Sequence, residues 1–498
     1  MLIRRHIWLL VALGGLLSGC ATGTHPYLDD AELQSFQISS ASCQRWFERL
    51  DGVTGKFGAR DFGASTVKGY PFLRVNRFLS SFSREVQGSR KLYTDWVASM
   101  TKIDKESRRI EINNLNETGI FSLGGDRAQV QKITSLCSDY LKKDLLTYSN
   151  NETADLFDRT VVSDDYSWMK RALGFYSLLQ IPFSQGIEDW HEEARATFER
   201  YTRGDVDGLA KRRYVPGVEG RLTSLEVSRL LRNRDSLGQL QLQSDDFSAI
   251  FKAFAPVFTI ENSGAFDQIG AVGFTNGQQV RVDVTRPTVY THMAYTRFEG
   301  KTLPQLVYIA WFPARPKDGF VDLLGGRLDG IIWRVTLDDD GLPLLFDSIH
   351  PCGCYHMFFP TDRLTSIAAP NRYTEWAFSP KRLTEMPEFV RPNITVQSKT
   401  HYLANVEFGI EGTIADIQQY SLKPYNQMRS IATPQGFRNL FGLNGIVKGS
   451  ERGERFLLWP SGIRSPGAMR QWGRHATAFV GRRHFDDADL LDNYYWRR

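Results

Sequence analysis

The sequence predicts an α+β fold: a largely helical N-terminal part over residues 31–255, then a mainly antiparallel β part over 256–498, built as a sandwich or a curved sheet. Three observations carry this expectation. Apolar residues recur at three-and-four spacing in the first half. They alternate in the second half. The second half is also punctuated by Asn276-Gly277, Glu299-Gly300 and Asp340-Gly341, dipeptides suited to tight turns between strands. With 498 residues, 42% of them hydrophobic, the chain is long enough for two to three domains.

The helical elements follow in order. DRAQVQKITSLCSDYLKKDLLTYS places Val130, Ile133, Cys137, Tyr140 and Leu141 on one face, with Asp126 able to cap its start. SWMKRALGFYSLLQ and EDWHEEARATFERY read as further helices. Thr223 and Glu226 form a capping-box pattern ahead of VSRLLRN, and DFSAIFKAF should stop at Pro256. Beyond Pro256, Val280, Val282 and Val284 alternate after the Asn276-Gly277 turn. TVYTHMAYTRFEGKTLPQLVYIAWFP and DGIIWRVTLDDDGLPLLFDSIH read as strand pairs. NITVQSKTHYLANVEF, RFLLWPSG and HATAFVGRRHF add further strands.

The first residues have a different character. Arg4 and Arg5 precede an almost wholly apolar run from Ile7 to Leu17, about 11 residues. Roughly 20 are needed to span a bilayer, so the run reads as a secretory signal. Its end, Leu17-Ser18-Gly19-Cys20, resembles the lipobox of bacterial lipoproteins. The resemblance covers residues 1–20 only. It implies a signal peptide over 1–19, cleavage before Cys20, and attachment of palmitate-type acyl chains to that cysteine. It also implies a short tether over 20–30. Ala21 stands where an inner-membrane retention aspartate would be, so the resemblance implies the outer membrane, facing the periplasm. Each buried methylene contributes about 0.8 kcal/mol, so several chains make a stable anchor.

The formal charge is +5, of which Arg4 and Arg5 supply +2, leaving +3 after cleavage. That balance points away from nucleic acid. Besides Cys20 there are Cys43, Cys137, Cys352 and Cys354. An oxidising periplasm favours pairing, and four cysteines allow three pairings. Cys43 and Cys137 both lie in helical segments, so a Cys43–Cys137 staple is expected, leaving Cys352 and Cys354 to each other.

The stretch HPCGCYH, residues 350–356, sets His350, Cys352, Cys354 and His356 at every second position. On a straight strand His350 and His356 would stand roughly 20 Å apart. One metal ion reaches all four only if the chain bends at Pro351 and Gly353. Two readings stand. In one the four residues hold zinc or copper, or the cysteines act in redox chemistry, with His292 and His401 from neighbouring strands as further ligands. In the other the cysteines are structural and the histidines are hydrogen-bonded partners at a sheet edge.

Other motifs are mostly negative. His191-Glu192-Glu193-Ala194-Arg195 lacks the second histidine of a zinc protease helix and reads as a solvated face. No phosphate-binding glycine loop and no nucleophile-elbow motif occurs. The Asn-x-Thr triplets at Asn116, Asn151 and Asn393 carry no weight. In the C-terminal region, His484 and Asp486 would share one face of a strand as a base and its orienting carboxylate. His475, Arg482 and Arg483 lie close by in sequence. Two functions remain in view: a metal-assisted or redox envelope enzyme, and a non-catalytic lipoprotein that binds an envelope protein, a glycan or a lipid.

Overall fold

The computed structural model describes residues 36–498 apart from 148–153, 206–207, 218–219, 277–278, 320, 372–373, 385 and 410–413. Cys20, the leader and Asn151 lie outside the described residues. The helices Ser40–Lys56, Arg90–Asn114 and Arg127–Thr147 pack around the hairpin Ser65–Val67/Tyr70–Val75. Trp46, Phe47, Leu50, Trp96, Val97, Met100, Val130 and Ile133 fill that core at helical spacing. Asp126 caps the third helix by accepting from the Gln129 amide at 2.8 Å. Cys43 and Cys137 are joined by a disulfide that closes 94 residues.

Beside this core lies a buried ionic cluster. Arg74 donates to Glu111 at 2.7 Å and to Asp104 at 3.2 Å, and Arg108 lies 3.3 Å from Asp104. Asp61 accepts from Arg429 at 2.6 Å and from Gln471 at 2.6 Å, both from the far end of the chain. Burial pushes the Asp61 carboxyl up, but Arg429 and Arg74 override it and hold it down at about 2.

The second half forms one curled, mixed sheet of ten strands. Its spatial order begins Met357–Pro360, Pro343–Ile349, Gly326–Leu337, Lys301–Arg315, Thr288–Phe298, an antiparallel meander. It continues Asp416–Pro424, Lys211–Pro216, Val257–Glu261, Pro392–Val396, Leu403–Phe408. The Asp416–Pro424 strand runs parallel to both neighbours, and Val257–Glu261 runs parallel to Pro392–Val396. Glu299 and Gly300 both take positive φ at their hairpin, as does Gly341 at the next. The helices Tyr176–Thr202, Ser224–Leu230 and Ser244–Ala253 lay Phe198, Val227, Ile250 and Phe251 onto the sheet. No helix of the described residues is long and apolar enough to cross a membrane.

Three local expectations are corrected. Lys211–Pro216, inside the region read as helical, is a sheet strand. Its partners lie at 257–261 and 416–424, too far along the chain to be read locally. RFLLWPSG is not a strand but the helix Arg455–Leu458 followed by a 3₁₀ turn, Trp459–Ser461. The Leu457 and Leu458 amides turn back to the Glu454 carbonyl, and Pro460 has no N–H to offer a ladder. HATAFVGRRHF is irregular because side chains take its backbone groups. Phe479 and Val480 donate to Glu375, and Ala478 donates to the Tyr166 hydroxyl.

Candidate functional site

The HPCGCYH segment leaves the strand Pro343–Ile349 and bends at once. The Gly353 amide donates to the His350 carbonyl at 2.8 Å, and the His350 amide donates to Cys354 at 3.0 Å. Gly353 has φ +91, and a Cβ there would lie 2.3 Å from the Ala476 carbonyl oxygen. Tyr355 also takes positive φ, 62°. The every-second-residue alternation is therefore broken, and the four ligand candidates part company.

His350 turns inward. Its Nδ1 lies 3.3 Å from Asp329, whose other oxygen is 2.9 Å from His401 Nδ1. His401 Nε2 reaches on to Asp267 at 3.3 Å, and its ring stacks on Phe312 at 3.9 Å. Burial works against the charge on His401, but the two carboxylates prevail and raise it. Leu328, Lys399 and His401 hold left-handed backbone around this chain of groups. His356 turns to another carboxylate, Asp347, at 2.9 Å, and Arg334 grips that carboxylate through Nε at 2.8 Å. Cys352 and Cys354 are buried and carry free thiols, with the Cys354 amide 3.3 Å from the Cys352 sulfur. The neighbouring Cys352 and burial push the Cys354 thiol well above its usual range. Among the described residues no three or more His, Cys, Asp or Glu side chains are arranged to hold a metal ion. Of the four residues expected to share a zinc or copper ion, His350 lies against Asp329 and His356 against Asp347. His292 is elsewhere, packed between Tyr425 and Trp472.

The turn does border a cavity of about 340 Å³. One wall is the helix Tyr176–Thr202, which presents Pro182, Gly186 and Trp190, and beside them Phe183, Ile187 and His191. These positions recur at i, i+4 and i+8, one face of a helix. Opposite stand Cys354, Tyr355 and His356, with Trp376, Leu458 and Phe479 closing the remainder. Gly186 leaves open space where a side chain would stand. His191, read from sequence as solvated, instead stacks on Phe378 at 4.0 Å and lines the cavity. Burial, with Arg195 nearby, brings it down to about 4.

The polar groups of the wall fall into two sets. Arg483 and Glu375 satisfy each other at 3.0 Å, and Glu375 also accepts from Phe479 and Val480. Glu454 and His356 are different. Glu454 is only 8% exposed, and its carboxyl accepts no hydrogen bond among the described residues. Burial raises its carboxyl to about 7 against the pull of Arg452 and Arg315. His356 has no partner for Nδ1. Burial lowers it to about 3 despite Asp347, so the ring is neutral. With Nε2–H assigned to the carboxylate, Nδ1 is left as an acceptor.

The C-terminal candidates do not assemble. His475 is buried against Trp472 and Phe485 with neither ring nitrogen bonded. His484 sits edge-on to Tyr166, and its nearest carboxylates, Asp164, Asp165 and Asp487, stand 3.7–3.8 Å away. Asp486 pairs instead with Arg77 at 2.9 Å and borders a separate cleft. The shared strand face proposed for His484 and Asp486 fails because the segment is a turn. Of the C-terminal residues singled out in the sequence, Arg483 alone lines the cavity. Glu454, Glu375 and Asp347 escaped the sequence reading; the Pro182–Gly186 spacing inside a helix was the one visible sign of the wall. No protein-family model matches the chain, and no curated protein or solved structure is similar to it.

Proposed function

We propose that this chain is a lipid-anchored envelope lipoprotein, held at the outer membrane through Cys20 and facing the periplasm, that binds a small, mainly apolar molecule in the cavity beside HPCGCYH. The lipobox-like end of the leader supports the location. The observation that carries the binding reading is the cavity wall itself. Aromatic and aliphatic side chains surround one carboxyl, that of Glu454, to which no side chain or amide of the described residues donates a hydrogen bond. A buried acceptor left unmet costs about 1–3 kcal/mol. A ligand with an apolar body and one hydrogen-bond-donating head offsets that cost, which is how such sites obtain orientation and specificity.

The test is native mass spectrometry of protein purified from its own envelope, with a fluorescent naphthylamine as competitor. A co-purifying apolar molecule, displaced by the probe, is the expected result. Protein that carries nothing and does not bind the probe sinks the binding reading. Mass analysis of the N-terminal peptide tests the anchor separately: an unmodified Cys20 sulfur overturns the location. A second, catalytic reading is favoured by Glu454, an ionisable carboxyl in the wall of a largely apolar cavity. Recovering the bound molecule unaltered after incubation decides against it.

A further inference from the structure

Large apolar side chains normally leave water, yet one side of this protein collects them on its outside. In the segment 168–181, Trp168 is 76% exposed and Phe175 72%, with Met169, Leu173, Leu178 and Ile181 exposed alongside. In the turn 455–459, Phe456 is 69% exposed, with Leu457 beside it, and in the loop before Gly326, Val321 is 89% exposed. These are not scattered residues. The Ser167 amide donates to the Gly462 carbonyl at 2.8 Å, and Arg171 Nε donates to Ser461 at 2.7 Å. The backbone of Gly174 lies so close to Pro460 that a Cβ would stand 2.6 Å from that ring. The Glu454 amide donates to the Leu323 carbonyl at 3.1 Å. The three segments are therefore stitched into one surface. A contiguous apolar surface of this kind marks an interaction site.

Charge identifies the occupant. Residues 166–187 contain Lys170 and Arg171 and no acidic residue, and residues 455–464 contain Arg455 and Arg464 and no acidic residue; the Val321 loop adds Lys317 beside Asp318 and Asp322, so the face keeps an excess of basic residues. Among the described residues none of Lys170, Arg171, Arg455 and Arg464 has a carboxylate partner. Arg171 donates to the carbonyls of Ser461 and Gly481, and Lys170 points at the carbonyl of Ile463. Aromatic and aliphatic tips projecting from separate turns, beside basic residues in excess over acidic ones, fit the headgroup boundary of an anionic bilayer. A second copy of the chain would bring like charges together instead.

We propose that this face docks onto an anionic membrane surface, sinking Trp168, Phe175 and Phe456 into the headgroup boundary. The consequence reaches the cavity. Pro182, Phe183 and Leu458, which line it, directly follow Ile181 and Leu457 of the docking face. The cavity mouth is then turned to the bilayer, and an apolar molecule passes between lipid and protein without crossing water. The docking itself needs neither a filled cavity nor an acylated Cys20.

The experiment places an environment-sensitive fluorophore at Phe456→Cys or Leu173→Cys in the full chain, with Glu117→Cys on the helical body as the control. Glu117 is exposed, and its label should stay in water. Each labelled protein is mixed with vesicles of phosphatidylethanolamine and phosphatidylglycerol carrying a doxyl quencher on the acyl chain. The expected result is a blue shift and quenching at 456 and 173 and neither at 117. Neutral phosphatidylcholine vesicles, or Lys170→Glu with Arg464→Glu, should weaken the contact by roughly fivefold for each basic side chain lost. Circular dichroism confirms that the variants fold. Labels at 456 and 173 that stay unquenched overturn the proposal. So does equal quenching in neutral vesicles, and so does a blue shift without lipid that follows protein concentration, which would mean a second copy covers the face.

Discussion

His356 Nε2 lies 2.9 Å from Asp347 Oδ2, and the same carboxylate holds Arg334 through Nε at 2.8 Å. All three side chains are buried. One anion thus neutralises a guanidinium and also decides which imidazole nitrogen carries the proton. Replacing Asp347 by Asn keeps the shape but strands Arg334 as a buried cation. We expect a loss of about 3–5 kcal/mol in urea unfolding. Arg334→Met in the same chain should recover part of it. Asp347→Asn as stable as the parent protein would remove the pair from the account.

Gly186 is the place to close the cavity without disturbing its walls, since open space lies where its Cβ would be. Gly186→Trp should fill the chamber. Glycine inside a helix costs about 1 kcal/mol relative to a good helix former, so the variant should be no less stable than the parent. Probe affinity should fall by about tenfold or more, a change of about 1.4 kcal/mol. Thermal unfolding and a fluorescence titration read the two effects separately. Undiminished affinity would place the ligand elsewhere.

Glu454 gives a signature in pH. In the unfolded chain its carboxyl titrates near its ordinary 4.5, whereas burial raises it to about 7 in the folded protein. Between those values the folded state binds more protons, so this group's contribution is complete below pH 4.5 and is lost as pH rises to 7. The histidines run the other way: burial lowers His191 to about 4 and His356 to about 3, so the unfolded state binds their protons in acid. The comparison that isolates Glu454 is therefore with Glu454→Gln. Relative to the parent, the variant should gain on the order of 2–3 kcal/mol between pH 4.5 and 7 and change little outside that window. Parallel stability curves would mean the carboxyl titrates normally.

The cysteines divide into two pairs with opposite behaviour. Reduction of Cys43–Cys137, which closes 94 residues, should lower stability by about 4.7 kcal/mol in the chain-entropy account. Cys352→Ser with Cys354→Ser should leave bound metal unchanged, because these thiols are not arranged with further ligands. Thiol titration of the denatured, unreduced chain should find both. Stoichiometric zinc or copper that vanishes in the double variant would restore the metal site.

What the sequence made legible follows the range of the interaction concerned. The α+β class is carried by periodicity and turn chemistry, both local. Asp126 and Thr223 announce helix starts from four residues of chain, and the Glu299-Gly300 hairpin from two. The strand Lys211–Pro216 escaped because its partners are far away in the chain. HATAFVGRRHF misled because Glu375 and Tyr166, more than 100 residues off, take the hydrogen bonds a neighbouring strand would otherwise receive. The site divides in the same way. In HPCGCYH, Pro351 and Gly353 marked where the chain could bend, but which side chain faces whom was set by Asp329 and Asp347, two unremarked carboxylates on strands. Glu454 had no local mark at all; its altered acidity comes wholly from what folds over it.

Asp61 imposes an order on the birth of this molecule. It lies near the start of the chain, and its counter-charge, Arg429, arrives 368 residues later. Before Arg429 is made, the acid has only Arg74 at 3.9 Å and the Ser107 hydroxyl at 3.2 Å from the first helical bundle as its partners. The bundle is not fully satisfied until the remainder folds onto it, because a buried carboxylate short of its closest counter-charge opposes closure. The last stretch works as a latch, and chains cut short of it should be more open to proteases.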